Sequence, residues 1–236
     1  MAAGLLGAIV SQPDRIFAMS DNPDPAWLRF RRPRSWSNGE IRRFAPLFRG
    51  AVVNVSAWTD EDKEGGFYRD YFCSASEYKT TNFDDGKGLQ RTEGEVFLDL
   101  EAPLPPDLLG RFDLVFNHTT LEHVFDCRRA FANLAAMARN AVMIVVPYIQ
   151  QMHGSGYGDF WRFTPQTMKR LYEENGLALR YCSANGADRA SIYLFCLGFR
   201  GDGSPEVPER FDLALDPDKP LYGPDYRNVI GGNVLD

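Results

Sequence analysis

The 236-residue chain is predicted to form an α/β fold: a doubly wound, mostly parallel seven-stranded sheet that closes in a C-terminal antiparallel hairpin. Three observations predict it. Short apolar runs such as Phe112–Phe116 and Ala141–Val146 stop abruptly at polar or glycine-rich segments, as buried parallel strands do at their carboxyl ends. From Phe112 onward these runs alternate with helical periodicity, the order expected of strand–helix–strand units. The last two runs are joined through Asn185-Gly186, a pair suited to a tight antiparallel turn.

The elements follow in order. Residues 1–48 are punctuated by Pro23, Pro25 and Pro33 and read as an irregular N-terminal extension on the core, with Trp27, Phe30 and Trp36 set among arginines. A core over 51–200 begins with the strand Ala51–Ala57, and Phe67–Phe72 suits a brief helix. Strands follow at Glu77–Thr81, Glu95–Leu98 and Phe112–Phe116. Asp126 is an N-cap for a helix whose inner face carries Cys127, Phe131, Leu134 and Ala138, leading to the strand Ala141–Val146. Thr164-Pro165 caps a second helix, with Met168, Leu171 and Tyr172 inward, that stops at Gly176. Leu177–Ala184 and Ser191–Phe199 form the closing hairpin, and 201–236 lacks periodicity and reads as a surface strap or disordered tail. The whole is expected to be one domain.

Composition narrows the function. A net charge of −6 disfavours a general nucleic-acid binder, which needs a basic face to displace counterions. The charge is uneven, however: between Arg29 and Arg49 seven arginines face the single acid Glu40. That strip could grip an anionic acceptor, form a solvated face with arginines over aromatics, or dock on the acidic body of a second copy in a homo-oligomer. The four cysteines are far apart with no CxxC pair, which reads as reduced thiols in a cytoplasmic protein. The apolar start lacks the basic region and cleavage pattern of a signal peptide, and no run approaches a membrane span.

FDLVFNHTTLEHV (Phe112–Val124), EVFLDLEAPLP (Glu95–Pro105), NAVMIVVP (Asn140–Pro147) and WRFTPQTMKRLYEENGL (Trp161–Leu177) together resemble class I S-adenosylmethionine-dependent methyltransferases of the type 11 kind. The resemblance covers roughly Ala51 to Arg200 and implies S-adenosyl-L-methionine as cofactor, held by Asn54, Ser56, Asn82, Asp99, Leu100 and Asn117. The sequence departs from that family after its first strand, where Val53-Asn54-Val55-Ser56-Ala57-Trp58 replaces the usual glycine-rich loop. The expected reaction is O-methylation of a small-molecule or carbohydrate acceptor, including a phosphorylated one.

Methyl transfer from a sulfonium is an in-line displacement, so the protein must align the acceptor and, for a hydroxyl, remove its proton. His153 and Asp159, flanking the glycine-rich HGSGYGD loop, are the leading catalytic candidates, with His118 at the end of the fourth strand beside them. His123 is expected to pack beneath the loop. No metal is expected, because no tight ligand spacing accompanies the three histidines. Two other classes stay open: a scaffold protein that kept the fold and lost the cofactor, and a metal-dependent enzyme using the histidines with Glu122 or Asp159.

Overall fold

The computed structural model describes residues 30–83, 94–153, 157–185, 191–201 and 207–211. Eight strands form one sheet in the order β3-β2-β1-β4-β5-β7-β6-β8. They are β1 (Ala51–Val55), β2 (Glu77–Asn82), β3 (Glu95–Phe97), β4 (Phe112–His118), β5 (Ala138–Ile149), β6 (Ala178–Ala184), β7 (Ile192–Phe199) and β8 (Arg210–Phe211). The first five pair in parallel, and β7 runs antiparallel between β5 and β6. The described helices are α1 (Arg32–Phe44), α2 (Cys127–Met137) and α3 (Pro165–Glu174).

The central strands are mostly apolar because both faces are covered. Alternate residues of β5 divide between two cores: Val142, Ile144 and Val146 face α2 and α3, while Ala141, Met143 and Val145 face α1. On the first side α2 brings Phe131 and Leu134, and α3 brings Met168, Leu171 and Tyr172. On the second, Ile41 and Phe44 of α1 join Tyr68 and Phe72 from the turn after β1. The predicted caps form: the side chain of Asp126 accepts from the Arg129 N–H, and that of Thr164 from the Thr167 N–H. Gly198 lets the ring of Tyr172 lie on β7, since a Cβ there would stand 2.3 Å from that ring. The Tyr172 hydroxyl donates to the carbonyls of Val142 and Cys196, so α3 is fastened across the β5–β7 seam.

Four expectations need correction. Residues 32–44 are helical rather than irregular, because Pro33 sits in the first turn, where a missing N–H costs nothing. The brief helix near Phe67 contracts to a 3₁₀ turn over Tyr68–Asp70. The fifth strand starts directly at the end of α2 and continues through Pro147 to Ile149, opposite β7. The sheet has eight strands, since Arg210 and Phe211 of the tail pair in parallel with β6. Gly186 of the expected hairpin turn, the aromatic Trp27, Arg29, and tail residues 212–236 lie outside the described residues. Asn185 closes the hairpin, its Oδ1 accepting from the Tyr193 N–H at 2.6 Å and its Nδ2 donating to the Ser191 carbonyl at 2.9 Å. No described helix is long and apolar enough to cross a membrane.

Much of the arginine strip is paired. Arg42 bridges Asp62 and Glu64 at 3.2 and 3.0 Å and lies over the Tyr71 ring, while Arg43 donates to the Tyr181 hydroxyl. These contacts fasten α1 to the loop after β1 and to β6.

Candidate functional site

The strand order reverses between β1 and β4, one strand leading outward to β2 and β3 and the other to β5. Such a reversal opens a crevice at the carboxyl ends of the strands. A cavity of about 710 Å³ lies there. It is lined by Asn54, Ser56 and Trp58 from β1 and its loop and by Asp99 and Leu100 after β3. Arg34, Tyr68, His118, His123 and His153 line it as well.

The loop after β1 takes turns that glycine normally supplies. Ser56, Trp58 and Asp60 all have positive φ, at 57°, 52° and 63°. Left-handed backbone disfavours residues with a Cβ, so other interactions must hold it. Asn82, buried at the end of β2, is one hold: its Oδ1 accepts from the Trp58 N–H at 2.7 Å and its Nδ2 donates to the Trp58 carbonyl at 3.0 Å. Asp60 is the other. Its buried carboxylate accepts from Asn54 Nδ2 at 2.8 Å, from the Tyr78 hydroxyl at 2.6 Å, and from the backbone and side chain of Arg69. Asn82 therefore shapes the cofactor-facing loop from behind rather than lining the cavity. Asn117 also lies behind it, fully buried, with Nδ2 donating to the Val55 carbonyl across the β1–β4 reversal. Of the expected cofactor residues, Asn54, Ser56, Asp99 and Leu100 line the cavity.

His118 ends β4 and is 8 % exposed. Its Nε2 lies 2.9 Å from Ser37 Oγ, whose own proton goes to the Arg34 carbonyl, so Nε2 carries the hydrogen. Its Nδ1 then accepts from the Thr119 hydroxyl at 3.1 Å, and Thr119 Oγ1 accepts from Arg34 Nη2. Burial, with the Arg34 charge added, holds His118 well below the usual imidazole range, so the ring is neutral. Arg34 also donates to Tyr68, whose hydroxyl is pushed up to about 12 by burial and donates to Asn38. Arg34, Tyr68 and Thr119 were hidden in the sequence; only the density of arginines near Trp36 hinted at the first.

The second cluster forms where the loop after β5 folds back onto the turn after β4. The Glu122 carbonyl accepts from the Phe160 N–H at 2.7 Å, and the Trp161 indole donates to the carbonyls of Val124 and Phe125. Arg162 binds both oxygens of Asp159, at 2.6 and 2.8 Å, and donates to the carbonyls of Gln150 and Gln151. Asp159 in turn accepts from the His153 N–H at 2.6 Å and lies 3.3 Å from His153 Nδ1. Burial alone would raise the Asp159 carboxyl, but Arg162 and the His153 N–H keep it below the usual carboxylate range. It does not line the cavity and so positions His153 rather than touching an acceptor. Gly154 and Gly156 of this loop lie outside the described residues, and at Gly158 a Cβ would meet the Phe160 ring at 2.0 Å, so that exposed ring would have to move aside.

His123 proves to be part of the cavity wall instead of packing beneath it. Its Nδ1 donates to the Gly158 carbonyl at 2.6 Å, leaving Nε2 as the acceptor nitrogen, and its ring lies 5.0 Å from that of His153. Burial lowers its pKa, with the Gly158 bond working in the opposite direction. Glu122 beside it is fully buried with neither carboxylate oxygen hydrogen-bonded among the described residues. Burial raises the Glu122 carboxyl to about 8 against the pull of Arg162 and Arg34, with Asp159 adding to the rise. His118 stands apart, so the three histidines do not form one cluster; Glu122, His123 and His153 do.

No protein-family model and no curated protein matches the sequence. Solved structures do. A methyltransferase from Mesorhizobium loti described as S-adenosylmethionine dependent aligns over 71 % of this chain and 98 % of its own, at 13 % identity and TM-score 0.50. The YcgJ protein of Bacillus subtilis aligns over 72 % and 100 %, at 11 % and 0.50. A Galdieria sulphuraria protein described as a sarcosine dimethylglycine methyltransferase aligns over 72 % and 85 %, at 11 % and 0.50. The chain thus has the Rossmann-like α/β fold found in S-adenosylmethionine-dependent methyltransferases.

Proposed function

We propose that the protein is an S-adenosylmethionine-dependent methyltransferase acting on a hydroxyl of a small-molecule or carbohydrate acceptor. The observation that carries this is the cavity at the β1–β4 reversal, lined together by the left-handed loop at Ser56 and Trp58, the Asp99-Leu100 pair and three histidines. The fit to the cofactor was the main obstacle in the sequence, because the loop lacks glycine. The left-handed turns at Ser56 and Trp58 support the reading: the backbone takes conformations that glycine favours, held by Asn82 and Asp60. Asn54, Ser56, Asp99 and Leu100 would hold the cofactor, with Asn82 and Asn117 bracing the strand ends behind them. The cofactor supplies an electrophilic methyl group on a sulfonium sulfur.

The remaining chemistry belongs to the histidines. His153, set by Asp159 and Arg162, and His123, set by Gly158, each offer an imidazole to an acceptor hydroxyl. Arg34 at the same cavity supports an acceptor that carries an anionic group. His118 has both ring nitrogens engaged and serves as lining that orients Thr119.

Calorimetric titration with S-adenosylmethionine and S-adenosylhomocysteine tests the reading. Saturable 1:1 binding is expected, and its absence in folded protein would defeat it. Once an acceptor is found, His153→Ala and Asp159→Ala should each cut turnover while sparing cofactor affinity.

A further inference from the structure

The Glu122 carboxylate does not itself line the cavity but adjoins His123, which does, and the reading above leaves it without a task. It is fully buried, and neither oxygen is hydrogen-bonded among the described residues. An ionisable group buried in this way is retained against a desolvation cost that an amide or an apolar residue would avoid. What surrounds it is informative. One candidate ligand atom from each of Glu122, His123 and His153 lies within 4.8 Å of the others, and His123 Nε2 is 3.8 Å from Glu122 Oε1.

The support behind the His123 imidazole is one that metal ligands use, and a carboxylate stands beside His153. A ligating histidine typically gives its other N–H to a carbonyl or carboxylate, which fixes ring orientation and tautomer. His123 gives Nδ1–H to the Gly158 carbonyl at 2.6 Å. His153 is placed by Asp159, which accepts its backbone N–H at 2.6 Å and lies 3.3 Å from its Nδ1. Asp159 is itself fixed by the paired contacts of Arg162, so the support is two layers deep.

We propose that Glu122, His123 and His153 form a three-ligand site for a divalent transition-metal ion of the zinc, iron or manganese class, at the acceptor-side wall of the cavity. Two imidazoles and one carboxylate suit these ions, whereas magnesium and calcium prefer all-oxygen cages. Three protein ligands leave coordination open, and because His123 and His153 both line the cavity, the open side meets the acceptor space. The ion would there hold a hydroxyl or carboxylate oxygen of the acceptor. The cation site stands on these side chains alone; its use in methyl transfer rests on the reading above.

The test uses full-length protein carrying Cys73→Ser, which removes the exposed thiol, dialysed against EDTA and titrated with Zn²⁺ in competition with a chromophoric chelator. One equivalent should bind. Glu122→Gln and His153→Gln should each weaken binding by about tenfold or more, and Asp159→Asn by roughly tenfold to a hundredfold through the misplaced His153. Co²⁺ bound to the parent should show the visible absorption of imidazole and carboxylate ligation, which removes dependence on any variant that fails to fold. No stoichiometric binding by folded parent, or equal affinity in the folded variants, would overturn the site. Zinc binding without S-adenosylmethionine binding would leave the site and remove the methyltransferase reading; the reverse result would do the opposite.

Discussion

Ser56→Gly should stabilise the protein, although glycine in a core loop ordinarily does the reverse. Ser56 has φ 57°, a conformation that costs a residue with a Cβ about 1–2 kcal/mol. Glycine removes that strain and adds roughly 0.5–1 kcal/mol of unfolded-chain entropy. The Ser56 N–H bond to Thr81 Oγ1 at 3.3 Å is a backbone donation and survives the change. The net expectation is a gain of about 0.5–1 kcal/mol, or roughly 1–4 °C in Tm for a chain of this length. Thr59→Gly supplies the contrast, because Thr59 is absent from the positive-φ residues of this loop and should lose about 0.5–1 kcal/mol. Differential scanning calorimetry of both variants reads the sign. A loss of stability in Ser56→Gly as large as that in Thr59→Gly would mean that the loop is not left-handed at Ser56. The account of a cofactor loop without glycine would then fail.

Three further outcomes are expected. In EDTA-dialysed protein Glu122 binds its proton up to about 8 when folded but only to about 4.5 when unfolded. Stability should therefore fall as pH rises between those values, at up to roughly 1.4 kcal/mol per unit, and Glu122→Gln should flatten the slope in urea titrations at pH 5 and about 8.5. Asp60→Ala leaves the buried Asn54 amide and the Tyr78 hydroxyl without their acceptor; urea unfolding should show a loss of roughly 2–4 kcal/mol, with weakened S-adenosylmethionine binding. A thiol-specific chromogenic reagent should modify exposed Cys73 at once and Cys127 more slowly, and reach Cys182 and Cys196 only on unfolding, since both are fully buried and burial raises the Cys196 thiol well above its ordinary range.

What could be read in advance followed from pattern. Phe112–Phe116, apolar but for Asp113, and Ala141–Val146, apolar throughout, are legible because both sheet faces are covered, and Asp126 and Thr164 mark helix starts through chemistry confined to one turn. The helix at 32–44 was missed because Pro33 signals both a break and a first turn, and the sequence does not distinguish them. The eighth strand is two residues long and has no periodicity to detect. In the site, Asp99 and Leu100 were named through the resemblance of EVFLDLEAPLP to a known third-strand segment, and both line the cavity. Asn82 and Asp159 were read as facing a ligand, whereas each spends its side chain on backbone or on Arg162. The Glu122–His123–His153 cluster was obscured by a separation of about thirty residues, bridged by tertiary contacts from Gly158, Phe160 and Trp161 to the turn after β4.

A clamp holds the base of the loop after β5. Arg162 ties the carbonyls of Gln150 and Gln151 on the outgoing stem to Asp159 on the returning stem, so the two flanks of residues 154–156 are held by one side chain. The position of His153 is thereby fixed at its backbone by Asp159 and, through it, by Arg162, so the stems of the loop are held whatever its length.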